Sequence, residues 1–147
     1  MNSKNTVKSG DYFTVPMADG RQAVCQVIWI GKNNPGQKFK RVFAFCVLSV
    51  GSEKDIPEGV GYLSFQDYQG DFKVIFTAVD NLLSGEWPVI GNGPIRDQEM
   101  VDFEFNMAGT LYRSGEPVRV LAIEEYKDYL EMGISGYVLV ERYLTQH

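Results

Sequence analysis

Residues 22–30 read Gln22-Ala23-Val24-Cys25-Gln26-Val27-Ile28-Trp29-Ile30, and a second apolar run follows at Arg41-Val42-Phe43-Ala44-Phe45-Cys46-Val47-Leu48-Ser49-Val50. Alternation places Ala23, Cys25, Val27 and Trp29 on one face of the first run. Val24, Ile28 and Ile30 share the other face with Gln22 and Gln26. A strand that is apolar on both faces belongs in the middle of a sheet, covered from both sides. Between the two runs, Gly31-Lys32-Asn33-Asn34-Pro35-Gly36-Gln37-Lys38 is a turn-rich basic loop. Residues 22–50 are therefore predicted to form a long hairpin.

Working outward, Gly10 to Pro16 reads as a short strand stopped by proline, which cannot donate to a ladder. Ala18-Asp19-Gly20-Arg21 then supplies an Asp-Gly hairpin signal, because glycine tolerates the positive φ of a tight turn. Downstream, Gly51–Gly61 is a polar loop and Phe72–Thr77 a third strand. Thr77 is placed to cap a short helical turn through Leu82 and Leu83, ended by Gly85. Glu86–Gly91 is extended. Val101–Asn106 alternates, with Val101, Phe103 and Phe105 facing inward and Asp102, Glu104 and Asn106 on a wet face. Two short strands, Thr110–Arg113 and Pro117–Leu121, flank Ser114-Gly115. Ile123–Met132 has helical spacing, with acids near its start where the helix dipole favours them. Tyr137–Leu144, β-branched and aromatic, reads as a final strand.

The sum is a mainly β (α+β) single domain spanning residues 1–147, with residues 1–9 loose. It is expected to be a strongly bent antiparallel sheet or a partly open barrel, with one or two short helices. Length and composition agree. The 147 residues are 44% hydrophobic and 22% charged, which is ordinary globular usage for one domain. No apolar stretch approaches the ~20 residues of a membrane helix. The opening Met1-Asn2-Ser3-Lys4-Asn5 lacks the apolar core of a signal peptide. A soluble, cytoplasmic protein is expected, with no membrane partner.

Several chemistries are excluded or left without a signature. The single histidine is His147, which removes histidine-dependent nucleophile arrangements and histidine-based metal sites. Cys25 and Cys46 each sit in an apolar run and read as buried thiols; if their strands are adjacent, a disulfide is open to them but not required. No Walker motif or strand–G-x-G-x-x-G–helix pattern occurs, and Gly91-Asn92-Gly93 reads as a turn. Asp97, Glu99 and Asp102 lack the spacing and glycine of an EF-hand loop. Carboxylate-only catalysis has no spacing signature among nineteen acids. Neither an enzyme nor a cofactor or metal site is expected.

Charge is unevenly spread. Residues 1–50 carry +5 and residues 51–147 carry −10, for a net −5. The acids concentrate at Asp97, Glu99, Asp102 and Glu104, and again at Glu124, Glu125, Asp128 and Glu131. Nucleic acid is an unsuitable partner for such a surface, because phosphate neutralisation needs concentrated positive charge. A basic protein partner suits it, since complementary potential speeds encounter and sets specificity. Asp97, Glu99, Asp102 and Glu104 form the candidate contact patch. Tyr62, Phe65 and Tyr68 lie in a less regular region, and are either contact aromatics or the cover over one end of the sheet. Trp87, between Glu86 and Pro88, is expected to anchor an extended segment in the core.

Two segments carry a resemblance. Gly10-Asp11-Tyr12-Phe13-Thr14-Val15-Pro16-Met17-Ala18-Asp19-Gly20-Arg21 follows a G-D-x-aromatic-x-aliphatic-P-aliphatic-x-D/N-G-basic pattern, with a long strand behind it. Gly85-Glu86-Trp87-Pro88-Val89-Ile90-Gly91 follows G-x-W-x-x-I/V-G. In this order and separation they resemble the immunity protein 26 family of bacterial polymorphic toxin systems, over roughly residues 8–95. The chain departs from that pattern at Glu86, where a basic residue is common, and residues 96–147 match nothing in it. The resemblance implies a mainly β, non-enzymatic protein that protects its bacterium from a toxin. Taken with the acidic surface, the expectation is a protein that binds and neutralises a cognate toxin domain by occlusion, and a nuclease suits it because its substrate cleft is basic. It assigns the motif glycines, Pro16 and Trp87 structural roles. The alternative is a β-domain module that binds a small molecule, a peptide or a cell-surface component.

Overall fold

The computed structural model describes residues 7–31, 39–53, 55–68, 70–100 and 103–147. Residues 32–38 of the basic loop expected over 31–38, residues 1–6 of the segment expected to be loose over 1–9, Val101 and Asp102 lie outside them. Residues 7–9 are not loose: Val7 is buried, the Lys8 N–H donates to Asp11, and the Ser9 hydroxyl donates to the Ile28 carbonyl at 2.7 Å. The two apolar runs pair as predicted. β2 (Gln22–Ile30) and β3 (Val42–Gly51) form an antiparallel hairpin at the centre of a five-stranded sheet. β1 (Asp11–Pro16) turns into β2 through Asp19-Gly20, with the Met17 N–H donating to the Arg21 carbonyl at 2.8 Å.

After β3 come a small hairpin, β4 (Phe65–Asp67) and β5 (Gly70–Phe72), and then β6 (Ile75–Ala78). The strand expected over Phe72–Thr77 is therefore split at Lys73-Val74. α1 (Asp80–Ser84) leads to β7 (Val89–Asn92), and the sheet order is β6-β3-β2-β1-β7. Gly85 ends α1 in the left-handed conformation, as expected. Thr77 does not cap it, because its hydroxyl donates to the Ser135 carbonyl at 2.6 Å.

A second, three-stranded sheet consists of β8 (Glu104–Met107), β9 (Thr110–Arg113) and β10 (Glu116–Val120). Both of its turns have two residues with positive φ, Ala108-Gly109 and Ser114-Gly115, matching the twist of the strands they join. Asn106 is buried rather than wet, and its side chain accepts from the Gly109 N–H, so it serves the turn.

The five-stranded sheet is covered on both faces. One face holds Phe13, Phe43, Phe45, Val27 and Trp87 under α1 and a C-terminal helix, α2 (Tyr137–Leu144). The other holds Val24, Ile28, Trp29, Cys46 and Phe76 against Phe103, Phe105 and Tyr112 of the three-stranded sheet. Burial on both faces is what the two apolar faces of β2 demand; each fully buried large apolar side chain contributes about 1.5–3 kcal/mol. The sheets do not close into a barrel, so the open antiparallel arrangement holds.

Three sequence expectations are corrected here. Tyr137–Leu144 is a helix, not a strand: Tyr137, Val140 and Leu144 share one face that packs into the first cluster, while Val138 points outward. Ile123–Met132 is not an amphipathic α-helix. A 3₁₀ turn covers Ile123–Asp128, none of its residues is buried, and Ile123 is 80% exposed. Trp29 lies on the face opposite Ala23, Cys25 and Val27, because a bulge in the β2–β3 pairing between Val27 and Trp29 inserts a residue and reverses the alternation.

The same pairing decides the cysteines. Cys25 aligns with Val47 and Gln26 with Cys46, so the two thiols fall into opposite clusters and do not bond. Burial pushes both thiols well above their ordinary range. Neither is expected to react with Ellman's reagent in the folded protein, and both should react on addition of denaturant. Rapid labelling of either thiol without denaturant would contradict this packing.

Candidate functional site

The groove of interest lies where the second half of the chain folds back on the first. After the 3₁₀ turn, residues 130–135 run as an extended strap between the two sheets. Asn106 of β8 donates to the Leu130 carbonyl and accepts from the Met132 N–H, at 2.7 and 2.9 Å. Ser135 N–H then donates to the Phe76 carbonyl of β6 at 2.8 Å. Parallel bridges join Glu131 to Asn106 and Ile134 to Phe76. The strap thus stands opposite the β4–β5 hairpin, and the space between them stays open.

That space consists of two abutting cavities that share Asp71, Phe72, Val74 and Leu130. The first, about 390 Å³, runs between β5 and the strap, and Tyr143 of α2 also lines it. The second, about 550 Å³, continues past Lys73 to Asp97, Met100, Phe103, Glu104 and Asp128. Both volumes fall in the range of ligand sites. Carboxylates from Asp67, Asp71, Asp97, Glu104, Asp128 and Glu131 line the combined groove, with Lys73 the basic residue among its described lining. Its apolar surface comes from Phe72, Val74, Phe76 and Leu130. Such a lining suits a cationic ligand with some apolar surface, because clefts lined by one sign of charge focus potential on what enters.

Of the candidate contact patch, Asp97 and Glu104 line the second cavity. Glu99 lies on a 3₁₀ turn, Gln98–Met100, and Asp102 lies outside the described residues. Glu104 is engaged by Arg113, whose Nε and Nη2 both donate to one carboxylate oxygen, at 2.9 and 2.7 Å. Asp67, Asp71 and Lys73 carry no signal in the sequence that marks them as site residues. They come from the region of contact aromatics, and nothing in their spacing joins them to residues thirty or sixty positions away. Asp128 and Glu131 do belong to the second acidic run of the sequence. Of the three aromatics considered there, Tyr62 and Phe65 are buried and Tyr68 is 93% exposed at the lip of the first cavity.

Asp97 is positioned by a buried polar network centred on Gln26. The Gln26 side-chain amide donates to the carbonyls of Gly10, Gly93 and Pro94 at 3.0–3.1 Å. Its oxygen accepts from the Tyr62 hydroxyl at 2.6 Å. That hydroxyl in turn accepts from the Arg96 N–H at 3.0 Å, and the Arg96 guanidinium lies over the Tyr12 ring, 5.4 Å from its centre. Burial pushes the Tyr62 phenol up to about 12, so it remains a donor at any physiological pH. The network pins residues 93–96 to the centre of the sheet and so fixes where Asp97 leaves it. Asp11, also buried, accepts from the Lys8 N–H and the Asn92 side chain and ties β1 to β7.

On the outer side of the strap, Arg119 forms a two-point pair with Glu125, at 3.1 and 2.9 Å. These bonds, with one from the Ala122 N–H, hold the Glu125 carboxyl down at about 2, below its ordinary 4.5. A depressed carboxyl stabilises the fold above its unfolded value, and that contribution is lost as pH falls through the folded one. The 3₁₀ turn is therefore expected to loosen between about pH 4.5 and about pH 2. Glu125→Gln should flatten this part of the acid transition, as read by amide exchange at Glu125 and Tyr129. An unchanged profile would remove the pair from the account.

Among the described residues, no group of three or more His, Cys, Asp or Glu side chains is arranged to hold a metal ion. Among the same residues, no helix is long and apolar enough to cross a membrane. No family model, curated protein or solved structure matches the chain.

Proposed function

We propose that this chain is a cytoplasmic, non-catalytic immunity protein that neutralises a cognate toxin domain by occlusion. The observation that carries the reading is the acidic groove, six carboxylates against one lysine, with Glu104 also paired to Arg113; Asp97, Glu104, Asp128 and Glu131 come from the part of the chain outside the resemblance, Asp67 and Asp71 from within it. A nuclease toxin is a suitable partner, because its own substrate cleft is basic. Most of the resemblance residues are placed in keeping with the reading: Gly10, Gly20 and Gly85 occupy turns with positive φ and Trp87 is in the core, whereas Gly91, expected in a turn, lies within β7 and pairs with Tyr12. A shared framework with a variable contact surface is how one fold serves different partners. A second reading, a module that binds a small molecule or peptide, is favoured by Tyr68 at the lip of the 390 Å³ cavity.

The test begins with the neighbouring gene: if it encodes a protein with a C-terminal toxin domain, the two are co-expressed and scored by growth rescue and by direct binding. Asp97→Lys combined with Glu104→Lys and Asp128→Lys is expected to slow association at least about tenfold and to flatten its salt dependence. Stopped-flow association at several ionic strengths reads both. An unchanged rate would exclude the groove as the contact face. Absence of binding and rescue would favour the module reading.

A further inference from the structure

β4 and β5 form a ribbon of two strands, which is marginal in water without a further strand or a packed face. The outer edge of β4 is already occupied. The Gln146 side-chain amide donates to the Gln66 carbonyl and accepts from the Gln66 N–H, at 2.8 and 2.9 Å, as a neighbouring strand would. The edge of β5 is different: among the described residues no strand other than β4 pairs with it. Gly70, Asp71 and Phe72 all line the first cavity. A strand that turns a face to a cavity contributes alternate residues, whereas one that turns its edge contributes consecutive ones. The open backbone edge of β5 therefore looks into the acidic groove.

We propose that the groove takes an extended basic segment of the protein partner, which adds to β5 as a third strand. Because Gln66 turns its backbone N–H and carbonyl outward to Gln146, its cross-strand partner Asp71 turns its own N–H and carbonyl to the open edge, and two backbone hydrogen bonds to Asp71 would supply the register. Basic side chains at alternate positions would meet Asp71 and Glu131, and an intervening apolar side chain would rest on Phe72 and Leu130. Charge complementarity selects this occupant, because the groove's carboxylates outnumber its cations. The inference rests on the reading of the groove as the partner's site, but not on what the partner does.

The probe is a short fluorescein-labelled peptide alternating arginine and valine, titrated against the full chain by anisotropy. Saturable, salt-sensitive binding is expected, with new amide-exchange protection at Asp71, the β5 amide that points away from β4. Methylating alternate backbone nitrogens of the peptide, in the register that faces β5, should weaken binding about tenfold, the effect of losing one or two hydrogen bonds. Asp71→Lys with Glu131→Lys should weaken it at least as much, with circular dichroism confirming that the variant is folded. Equal affinity for the methylated peptide in both registers, unchanged exchange at Asp71, or no binding would each overturn strand addition. The functional reading is scored separately. Rescue from the toxin without peptide binding would keep the immunity role and discard this mode, whereas peptide binding without rescue would do the reverse.

Discussion

Gln26→Glu is expected to destabilise the protein by about 3–5 kcal/mol at neutral pH, the range for an unpaired buried charge. The substitution is nearly isosteric, so packing hardly changes. What changes is the donor. In the parent chain the Gln26 amide nitrogen serves three carbonyl oxygens within 3.1 Å, inside a fully buried site on the central strand. A carboxylate there would place negative oxygen against all three and would have no hydrogen to offer. The group would escape by holding its proton, which raises its folded pKa above the unfolded value. The deficit relative to the parent should then be smallest in acid and grow as pH rises through that raised value. Urea midpoints of the two proteins across a pH series read both the size and the sign. Tyr62→Phe is the milder control, expected to cost about 1–2 kcal/mol through one buried hydroxyl. A Gln26→Glu protein within about 1 kcal/mol of the parent at neutral pH would mean that the three-carbonyl cluster does not form.

Trp87→Ala is expected to cost about 3–5 kcal/mol, the range for truncating a buried aromatic. Trp87 stacks on Phe13 at 5.9 Å and meets Phe43, Phe45 and Tyr137 edge-on at 6.3, 6.1 and 5.0 Å. It therefore joins β1 and β3 to α2, and its backbone N–H is bound to the Asn81 carbonyl in α1. Truncation opens a cavity at that junction, which four aromatic rings cannot refill without leaving their rotamers. Since folded domains carry about 5–15 kcal/mol in all, such a loss puts the variant near the edge of folding. Guanidinium unfolding would measure it, and near-ultraviolet circular dichroism would show the aromatic cluster losing its fixed geometry. A loss below about 1 kcal/mol would contradict the core role.

Legibility in the sequence tracked how local the determining physics was. β1, β2 and β3 were readable because long β-branched runs and an Asp-Gly turn carry their structure within a few residues. Trp29 was misplaced by one bulge, an event set by the partner strand and invisible in β2 alone. Tyr137–Leu144 looks like a strand because Tyr-Val-Leu-Val has strand propensity; its helix is decided by docking Val140 and Leu144 into a cluster built from residues about a hundred positions earlier. The groove was half visible. Asp97 and Glu104 belong to a compact acidic run, but Asp67, Asp71 and Glu131 meet them only through the strap, whose pairing with Phe76 and Asn106 has no sequence signature.

The strap also sets an order of events during synthesis. β1, β2 and β3 emerge early from the ribosome and are able to pair at once, yet one covering layer of their sheet waits for Val140 and Leu144. The wall formed by residues 130–135 arrives equally late. At about 5–20 residues per second, several seconds separate the first hairpin from the last helix. During that interval the nascent chain exposes an apolar sheet face and has no finished groove. A ribosome stalled near residue 125 would thus present a chain that is prone to aggregate, because the roughly twenty residues that follow carry both the missing cover and the missing wall.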